Sequence, residues 1–399
     1  MKRFDFWTVV MILTWVLLLI LLFVPVGSVL VSSFYDPAGN FTLANYQKFF
    51  AEPRFRQAFL NTLVVGFGGL VGALLLGSIM AFCISRFVIQ GSRFVSLLAI
   101  LALVSPPFIG AYSWIVLFGA GGLVRTSLRD FGIQIPTIYG LTGILIVFAF
   151  KFYPFVYLMV SGALSNVNRS LEEAAEGLGL TPWQRTLKIS FPMVFPALSA
   201  GGLLALIQAI ADFGTPRLLG RGYNVLATEA YTLYSAEIGS NLSMATTISV
   251  ILIVVSMAFV LLQRYVSRRN VYHGNMINKP IKIQLTGWRN ALAHFAVYAI
   301  GLLGALPVII SIIYSFRKTS GPVFQPGLGL QSYERILFNL GDVIRNSLTF
   351  SFAAVALIVV VGTLIGVLVA RRTNVNTSLL DGAFMIPYVM PGIVIGIAY

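Results

Sequence analysis

The sequence predicts an all-α membrane protein, a polytopic bundle of transmembrane helices. Of its 399 residues, 58% are hydrophobic and only 10% are charged, whereas about 25% of the residues in a soluble domain are charged. The mean hydropathy is +0.89. Apolar runs of about 20 or more residues recur along the chain, and each is long enough to cross a hydrocarbon core about 30 Å thick as a helix. The lipid bilayer is therefore the expected solvent for most of the chain.

Nine apolar segments have the length and composition of membrane spans. They are residues 6–34, 61–85, 95–119, 139–164, 192–214, 243–263, 290–316, 347–370 and 380–399. Lys2 and Arg3 precede the first segment. This segment is too long for a signal peptide and lacks a small-x-small cleavage site, so we expect it to be retained as a span.

The basic residues predict the orientation of the spans. With a cytoplasmic N-terminus, the loops at 86–93, 165–191, 264–289 and 371–372 are cytoplasmic, and they carry the denser basic clusters. We therefore expect a multi-pass protein of the cell inner membrane. The net charge is +14, but the basic residues lie in short patches between apolar runs, so no nucleic-acid partner is expected.

An internal repeat is the second main feature of the sequence. Its two copies are displaced by 285 residues, the distance from Asn61 to Asn346. The matching positions are Asn61-Thr62-Leu63 with Asn346-Ser347-Leu348, Gly77 with Gly362, Arg86 with Arg371, and Pro106 with Pro391. Further upstream, Pro25, Ser33-Phe34 and Tyr46 resemble Pro307, Ser315-Phe316 and Tyr333.

This repeat predicts a tandem, parallel duplication of a six-helix unit, because an even number of spans returns the chain to the same side. The expected domains are a first copy at 1–270, a basic cytoplasmic linker at 271–289, and an incomplete second copy of about three helices at 290–399. A complete second copy would extend to about residue 555, with its own version of the 165–191 loop near residue 458. We therefore expect the sequence to be part of a longer protein.

The loop at 165–191 contains signals for two helices and a sharp turn. Ser170 with Glu173 fits a capping box, and Thr181 with Gln184 fits a second one that has proline at the first helical position. Gly179 lies between them, where a helix ends in the left-handed conformation. The loop is predicted to fold as helix, turn and helix, and to project from the membrane.

At these positions the chain resembles the permease subunits of binding-protein-dependent ATP-binding-cassette (ABC) importers. Their cytoplasmic loop carries E-A-A, three residues, G, nine residues and I-x-L-P. The matching residues are Glu173, Ala174, Ala175, Gly179, Ile189 and Pro192. Phe191 departs from the pattern, since it replaces leucine.

The resemblance implies that the first helix of the loop is a coupling helix, seated in a groove of an ATP-hydrolysing partner subunit. Ala174 and Ala175 would allow close approach, and Glu172, Glu173 and Glu176 would meet basic groups there. The chain has no G-x-x-x-x-G-K-[ST] phosphate loop. ATP and Mg²⁺ are therefore expected in two ATPase partners, and this chain is expected to be neither an enzyme nor a cofactor carrier. A solute-binding protein is the other implied partner.

The segment Ala211 to Gly220 resembles the iron(III), phosphonate, polyamine and thiamine branch of these importers. Two fused permease copies are most similar to the iron(III) type, so ferric iron is the first expected solute. The alternative solutes are 2-aminoethylphosphonate, a polyamine and thiamine. His273 and His294 have no partners at metal-ligand spacing, and no resident metal site is expected.

Several residues are candidates for the translocation path. Pro106, Pro107 and Pro391 interrupt apolar segments, which suits either a lined pathway or a packing kink. Lys151 and Asp212 are ionisable residues at or near membrane depth, where charge is expensive and usually functional. At about 1.5 Å of rise per residue, Asp212 lies about 10 Å further outward than Lys151. We therefore expect Asp212 at an outer gate and Lys151 facing the pathway or a buried partner. A direct ion pair, which requires the lysine side chain to reach outward or the spans to tilt, and a helix-end carboxylate at Asp212 without a role in the path are the alternatives.

Two other classes of membrane protein remain to be weighed. A secondary transporter driven by an ion gradient also has many spans and an internal duplication. The coupling loop argues against it. An integral-membrane enzyme would need clustered His, Asp or Cys residues at membrane depth, and the sequence shows no such cluster.

Overall fold

The computed structural model describes residues 5–36, 38–236, 241–269, 282–320, 323–371 and 375–399. These residues form a helical bundle, as the composition predicts. Its helices are α1 (Phe6–Ser32), α2 (Ala44–Ala51), α3 (Pro53–Arg86), α4 (Ser92–Val104), α5 (Pro107–Phe118), α6 (Leu123–Asp130), α7 (Leu141–Ser165), α8 (Arg169–Gly177), α9 (Pro182–Ala211), α10 (Gly214–Leu219), α11 (Leu226–Ser235), α12 (Leu242–Arg269), α13 (Gly287–Ser315), α14 (Gln331–Arg371), α15 (Val375–Val389) and α16 (Gly392–Ala398).

Two irregular features interrupt this pattern. The segments Leu19–Phe23 within α1 and Thr186–Ser190 within α9 are π-helical. A short antiparallel hairpin, β1 (Arg317–Ser320) and β2 (Val323–Leu328), connects α13 to α14 and pairs Thr319 with Phe324.

Eight helices in the described part of the chain are long and apolar enough to cross a membrane. Two of the nine predicted spans are broken helices. The third divides into α4 and α5 on either side of Ser105 and Pro106, and the ninth divides into α15 and α16 before Pro391. Pro387 lies inside α15 and does not end that helix. A transmembrane helix tolerates such a proline when neighbouring groups satisfy the freed carbonyl.

Helices α3, α7 and α9 form the centre of the first copy, and small residues bring them close together. A Cβ atom at Gly72 would lie 2.5 Å from the Ala149 Cβ atom, and one at Gly77 would lie 2.6 Å from the Val156 Cβ atom. On α9, a Cβ atom at Gly201 would lie 2.9 Å from the Val156 Cα atom. These contacts leave no room for a larger side chain, so glycine sets the helix separation.

Helix α14 is packed less extensively than α3, the helix that the sequence repeat pairs with it. Only 6% of the most apolar window of α14 is buried, against 33% for α3. A Cβ atom at Gly362, the counterpart of Gly77, would meet nothing within 4 Å. The long, exposed apolar face of α14 is thus available to lipid or to further protein.

Two local geometries recur at the positions that the repeat pairs. The Ser33 and Tyr46 hydroxyls form a 2.7 Å hydrogen bond, and Ser315 and Tyr333 form the same bond at 2.7 Å. Pro106 has φ −58° and ψ 139°, and its counterpart Pro391 has φ −58° and ψ 137°. Matched sequence positions therefore adopt matched local structure.

The predicted linker at 271–289 lies mostly outside the described residues, which resume at Lys282. At its end, Ile283 bridges to the chain just after α3. The Ile283 amide donates to the Arg86 carbonyl at 2.8 Å, and the Val88 amide donates to the Ile283 carbonyl at 3.1 Å. The end of the predicted linker is thereby attached to the C-terminal end of α3.

Candidate functional site

The 165–191 loop forms the predicted helix, turn and helix. Its first helix, α8, begins one residue after Asn168, whose side chain accepts a hydrogen bond from the Ser170 amide at 3.0 Å. The expected cap, Ser170, is therefore wrong. Asparagine is an equally strong N-cap, and here it stands at the residue with extended backbone angles.

The turn and the second helix start have the predicted conformations. Gly179 has φ +81°, in the left-handed region, and the Leu180 amide donates back to the Ala175 carbonyl at 3.0 Å. Thr181 and Gln184 form a reciprocal capping box, since the Thr181 amide donates to Gln184 Oε1 at 3.0 Å and the Gln184 amide to Thr181 Oγ1 at 3.4 Å. Local signals thus set the shape of the loop.

Glu172 attaches this loop to the membrane helices. Its carboxylate forms a two-point ion pair with Arg86 at the end of α3, and one of the two bonds joins Arg86 Nη1 to Glu172 Oε2 at 2.7 Å. The buried Ser190 hydroxyl lies 2.8 Å from both partners, accepting from Arg86 Nη2 and donating to Glu172 Oε1. The side chains of Arg86 and Glu172 are only 11% and 19% exposed.

The surroundings of Glu172 act on its pKa in opposite directions. Partial burial raises the pKa, but the hydrogen bonds from Arg86 and Ser190 and the positive charges of Arg86 and Arg185 outweigh this effect. The net result is a pKa below the usual value of 4.5. Glu172 is therefore ionised at neutral pH and held in place by Arg86.

The other acidic groups of the loop also have partners within the chain. Glu173 pairs with Arg169 at 2.5 Å, and Glu176 pairs with Arg185 at 2.7 Å. Both carboxylates are exposed, so their arginines leave them accessible from outside. Glu172 differs from them because it faces the permease helices, which the sequence did not reveal.

The loop presents one face to its own helices and one outward. Ala175 is buried against the chain, so it is not on the outer face with Ala174. Ile189 is partly buried, whereas Pro192 is exposed at the start of the membrane part of α9. The outer face carries Leu178 and Trp183, which are 81% and 70% exposed. Large exposed apolar residues on a rigid projection are typical of a protein contact.

Lys151 and Asp212 form an ion pair, contrary to expectation. The Lys151 ammonium contacts Asp212 Oδ2, while Asp212 Oδ1 accepts from the Thr215 amide at 2.8 Å. The Asp212 side chain is 4% exposed and the Lys151 side chain 19%. Lys151 also lies 5.3 Å from the centre of the Phe152 ring.

Packing explains why the expected separation did not prevent this pair. A Cβ atom at Gly69 would contact the Cβ atoms of both Ala209 and Phe148, so these two residues lie at the same depth along their helices. Lys151 is three residues inward from that level and Asp212 three residues outward, about 9 Å apart along the helix axes. Helix α9 ends at Ala211. The Asp212 side chain accepts a hydrogen bond from the Thr215 amide in the first turn of α10. The long lysine side chain covers the remaining distance.

The ion pair lies at a cavity beside the two helix breaks. The cavity has a volume of about 550 Å³ and includes Ser105, Pro106, Lys151, Gln208, Asp212 and Met390 in its lining. Pro391 follows Met390 at the break between α15 and α16. Pro107 begins α5 directly after Pro106. The structure therefore brings the predicted path residues to one region, at the two helix breaks.

A further ion pair was not predicted from the sequence. The Glu229 side chain is 1% exposed, and its carboxylate binds Arg54 Nη2 at 2.6 Å and accepts from Asn224 Nδ2 at 2.8 Å, whereas the Arg54 side chain is 52% exposed. Asn61 donates to the Asn224 carbonyl at 2.8 Å. The pair links the start of α11 to α3.

No group of three or more His, Cys, Asp or Glu side chains in the described ranges could hold a metal ion. His294 has a structural role, because its Nε2 accepts from the Gln90 amide at 3.1 Å. His273 lies outside the described residues.

Comparison with protein families agrees with the loop geometry. Residues 73–272, half of the chain, match the family described as the binding-protein-dependent transport system inner membrane component. The chain belongs to this family. The match spans the 165–191 loop and both partners of the Lys151–Asp212 pair.

Related proteins include iron and phosphonate transport components. The chain is 27% identical to a Haemophilus influenzae protein named as a ferric transport system permease, over 96% of the chain and 62% of the relative. It is 26% identical to the ferric transport system permease protein FbpB of Actinobacillus pleuropneumoniae, over 96% of the chain and 57% of the relative. It is 28% identical to a 2-aminoethylphosphonate transport system permease protein, PhnU, of Salmonella typhimurium, over 64% of the chain and 93% of the relative.

The chain thus spans about three fifths of the length of the ferric relatives. Among solved structures, it resembles a chain of a bacterial ABC transporter that imports alginate, with a TM-score of 0.56 and 21% identity. The alignment covers 65% of this chain and 93% of that one. This similarity shows a shared fold and extends to no substrate.

Proposed function

We propose that the chain is the membrane-spanning permease subunit of an ABC importer. It would receive its solute from a periplasmic binding protein and its energy from ATP hydrolysed by partner subunits. The observation that carries this proposal is the capped, outward-facing 165–191 loop, whose shape is rigid and whose base is held by the Arg86–Glu172 pair. A folded loop that can pass movement from an ATPase to the membrane helices is expected in an ABC permease, whereas an ion-gradient-driven secondary transporter has no ATPase partner to contact.

The coupling surface is the outer face of this loop. Leu178 and Trp183 would enter a groove on the ATPase, with Ala174 allowing close approach and Glu173 and Glu176 at the rim. Gly179 gives the turn that separates the two helices. When ATP closes the partner subunits, the loop would move as a unit and carry the membrane helices with it.

The tandem duplication implies two such contacts. The matched hydrogen bonds Ser33–Tyr46 and Ser315–Tyr333 support a repeated unit. Each unit would engage one ATPase through its own loop, so two ATPase subunits are the proposed partners. The first loop follows four spans, and the N-terminus would therefore lie on the same, cytoplasmic side of the inner membrane.

Ferric iron is the proposed cargo, supported by the names of the relatives that cover most of this chain. A 2-aminoethylphosphonate is the second candidate, supported by a relative that spans 64% of the chain. Uptake of radiolabelled ferric iron and of the phosphonate by a deletion strain, with and without the restored gene, tests both. Restored uptake of one compound identifies the cargo, and unchanged uptake of both contradicts the assignment.

A further inference from the structure

The described lining of the cavity at the two helix breaks contains few polar side chains. They belong to Ser105, Lys151, Gln208 and Asp212. Most of the other lining groups are apolar or aromatic. Few polar groups in an apolar setting are the usual means by which a site orients a small solute.

The carboxylate in this cavity is already occupied. Asp212 Oδ2 contacts the Lys151 ammonium and Asp212 Oδ1 accepts from the Thr215 amide. Among the described residues that line the cavity, Asp212 is the only acidic one. A cation entering the cavity therefore meets a neutralised carboxylate and a nearby positive charge.

Hydrogen-bond donors, in contrast, remain available. A lysine ammonium has three N–H donors, and Asp212 is the acceptor that the described residues provide. The Ser105 hydroxyl is inaccessible to solvent and has no hydrogen-bond partner within the described part of the chain. A buried hydroxyl without a partner costs free energy that a bound acceptor would recover. Gln208 adds an amide group to the same wall.

We propose that this cavity is a transient subsite for an oxyanion group of the transported solute, with Lys151, Ser105 and Gln208 as its donors. The inference rests on the proposed function, because it assigns a substrate class to the same path. Two solutes share this chemistry: a phosphonate, and an anionic chelate in which citrate carboxylates surround ferric iron. The described lining suits an uncomplexed ferric ion less well than an anionic chelate, since Asp212 is paired with Lys151 and the Lys151 ammonium repels a cation.

The test measures direct binding to the purified chain in lipid nanodiscs by isothermal titration calorimetry. The probes are 2-aminoethylphosphonate, ferric citrate and, as a cation without an oxyanion, ethanolamine. Ser105→Ala removes a buried donor that has no protein partner, so it should not lower the unfolding temperature of the free protein. We expect it to raise the Kd of an oxyanion probe about tenfold.

Ser256 provides a matched control, because its hydroxyl is also buried and unpartnered among the described residues but lies outside the cavity lining. Ser256→Ala should bind as the wild type does. The double variant Lys151→Met/Asp212→Asn removes both charges together, so no unpaired buried charge remains. We expect it to weaken oxyanion binding tenfold or more.

Binding of the phosphonate alone or of ferric citrate alone supports the subsite and identifies the source of the oxyanion. The proposal is overturned if neither probe binds, if ethanolamine competes equally well, or if Ser105→Ala keeps the wild-type Kd. ATP-dependent uptake is measured separately with the ATPase present. ATP-dependent uptake without probe binding would contradict only the proposed subsite. Probe binding without ATP-dependent uptake would contradict only the proposed permease function.

Discussion

Arg86 and Glu172 are 86 residues apart in the sequence, yet their guanidinium and carboxylate groups form a two-point ion pair. The pair joins the end of α3 to the first turn of α8, and Ser190 within α9 binds both partners. Three helices thus meet at one polar cluster. If the loop couples to an ATPase as proposed, its displacement would reach α3 and α9 through these contacts.

The first prediction concerns this cluster. Glu172→Gln or Arg86→Gln should each lower the free energy of unfolding by about 1–3 kcal/mol, because the partner is left without its counter-charge in a mostly buried place. The rate of transport should fall more than the affinity for the ATPase, since the loop remains folded but loses its attachment to α3. Thermal unfolding, co-purification of the ATPase and uptake measure the three quantities.

Glu173→Gln is the matched control, because Glu173 also pairs with an arginine but is exposed. An exposed pair contributes about 0–1 kcal/mol, so its loss should barely change the unfolding temperature. Equal destabilisation by Glu172→Gln and Glu173→Gln would contradict the anchoring role of Glu172.

The second prediction is a pH dependence. The pKa of Glu172 is lowered from 4.5 in the folded protein. Such a group stabilises the fold above its unfolded pKa, and this contribution is lost as the pH falls through the lower folded value. The difference in unfolding temperature between the wild type and Glu172→Gln should be constant from about pH 8 to 5.5 and shrink below about pH 4.5. A difference that persists undiminished at about pH 3 would refute this.

The third prediction concerns the turn at Gly179. Its φ of +81° disfavours any side chain, and a β-branched one most of all. Gly179→Val should therefore cost at least about 1–2 kcal/mol locally, misplace the second helix of the loop and abolish ATPase co-purification. Gly177→Ala is the control, because Gly177 is helical and a Cβ atom there meets nothing within 4 Å. Normal transport by Gly179→Val would show that the turn is dispensable.

The fourth prediction concerns the outer face of the loop. Trp183→Ala should weaken association with the ATPase by about 2 kcal/mol, or roughly 30-fold, as expected for a tryptophan at the centre of an interface. The fold should be unaffected because Trp183 is 70% exposed. Trp288 is 71% exposed at the start of α13 and lies outside the loop, so Trp288→Ala should bind normally. Equal affinities of the two variants would exclude the Trp183 surface.

The sequence predicted the features that depend on neighbouring residues. The left-handed Gly179 and the Thr181–Gln184 capping box follow from short-range backbone rules, and both are present. The break before Pro107 follows from the missing amide of proline. The cap at Ser170 was wrong because Asn168, two residues earlier, competes for the same role.

Features that depend on tertiary packing could not be predicted in the same way. The pairing of Arg86 with Glu172 joins segments whose relative position is set by contacts between α3, α7 and α9. The sequence left the Lys151–Asp212 pair as the less favoured alternative, because counting residues along straight helices does not show where α9 ends or whether the lysine side chain extends toward Asp212. Long-range polar pairs need the packed bundle.

ATP-dependent transport is the most direct test of the account. The full-length protein, its ATPase and its binding protein are reconstituted in liposomes, and solute uptake is followed with ATP on the ATPase side or with an imposed ion gradient. We predict uptake that requires ATP and the binding protein and that falls in Glu172→Gln. Uptake driven by the ion gradient alone, without ATP, would identify a secondary transporter and contradict the assignment.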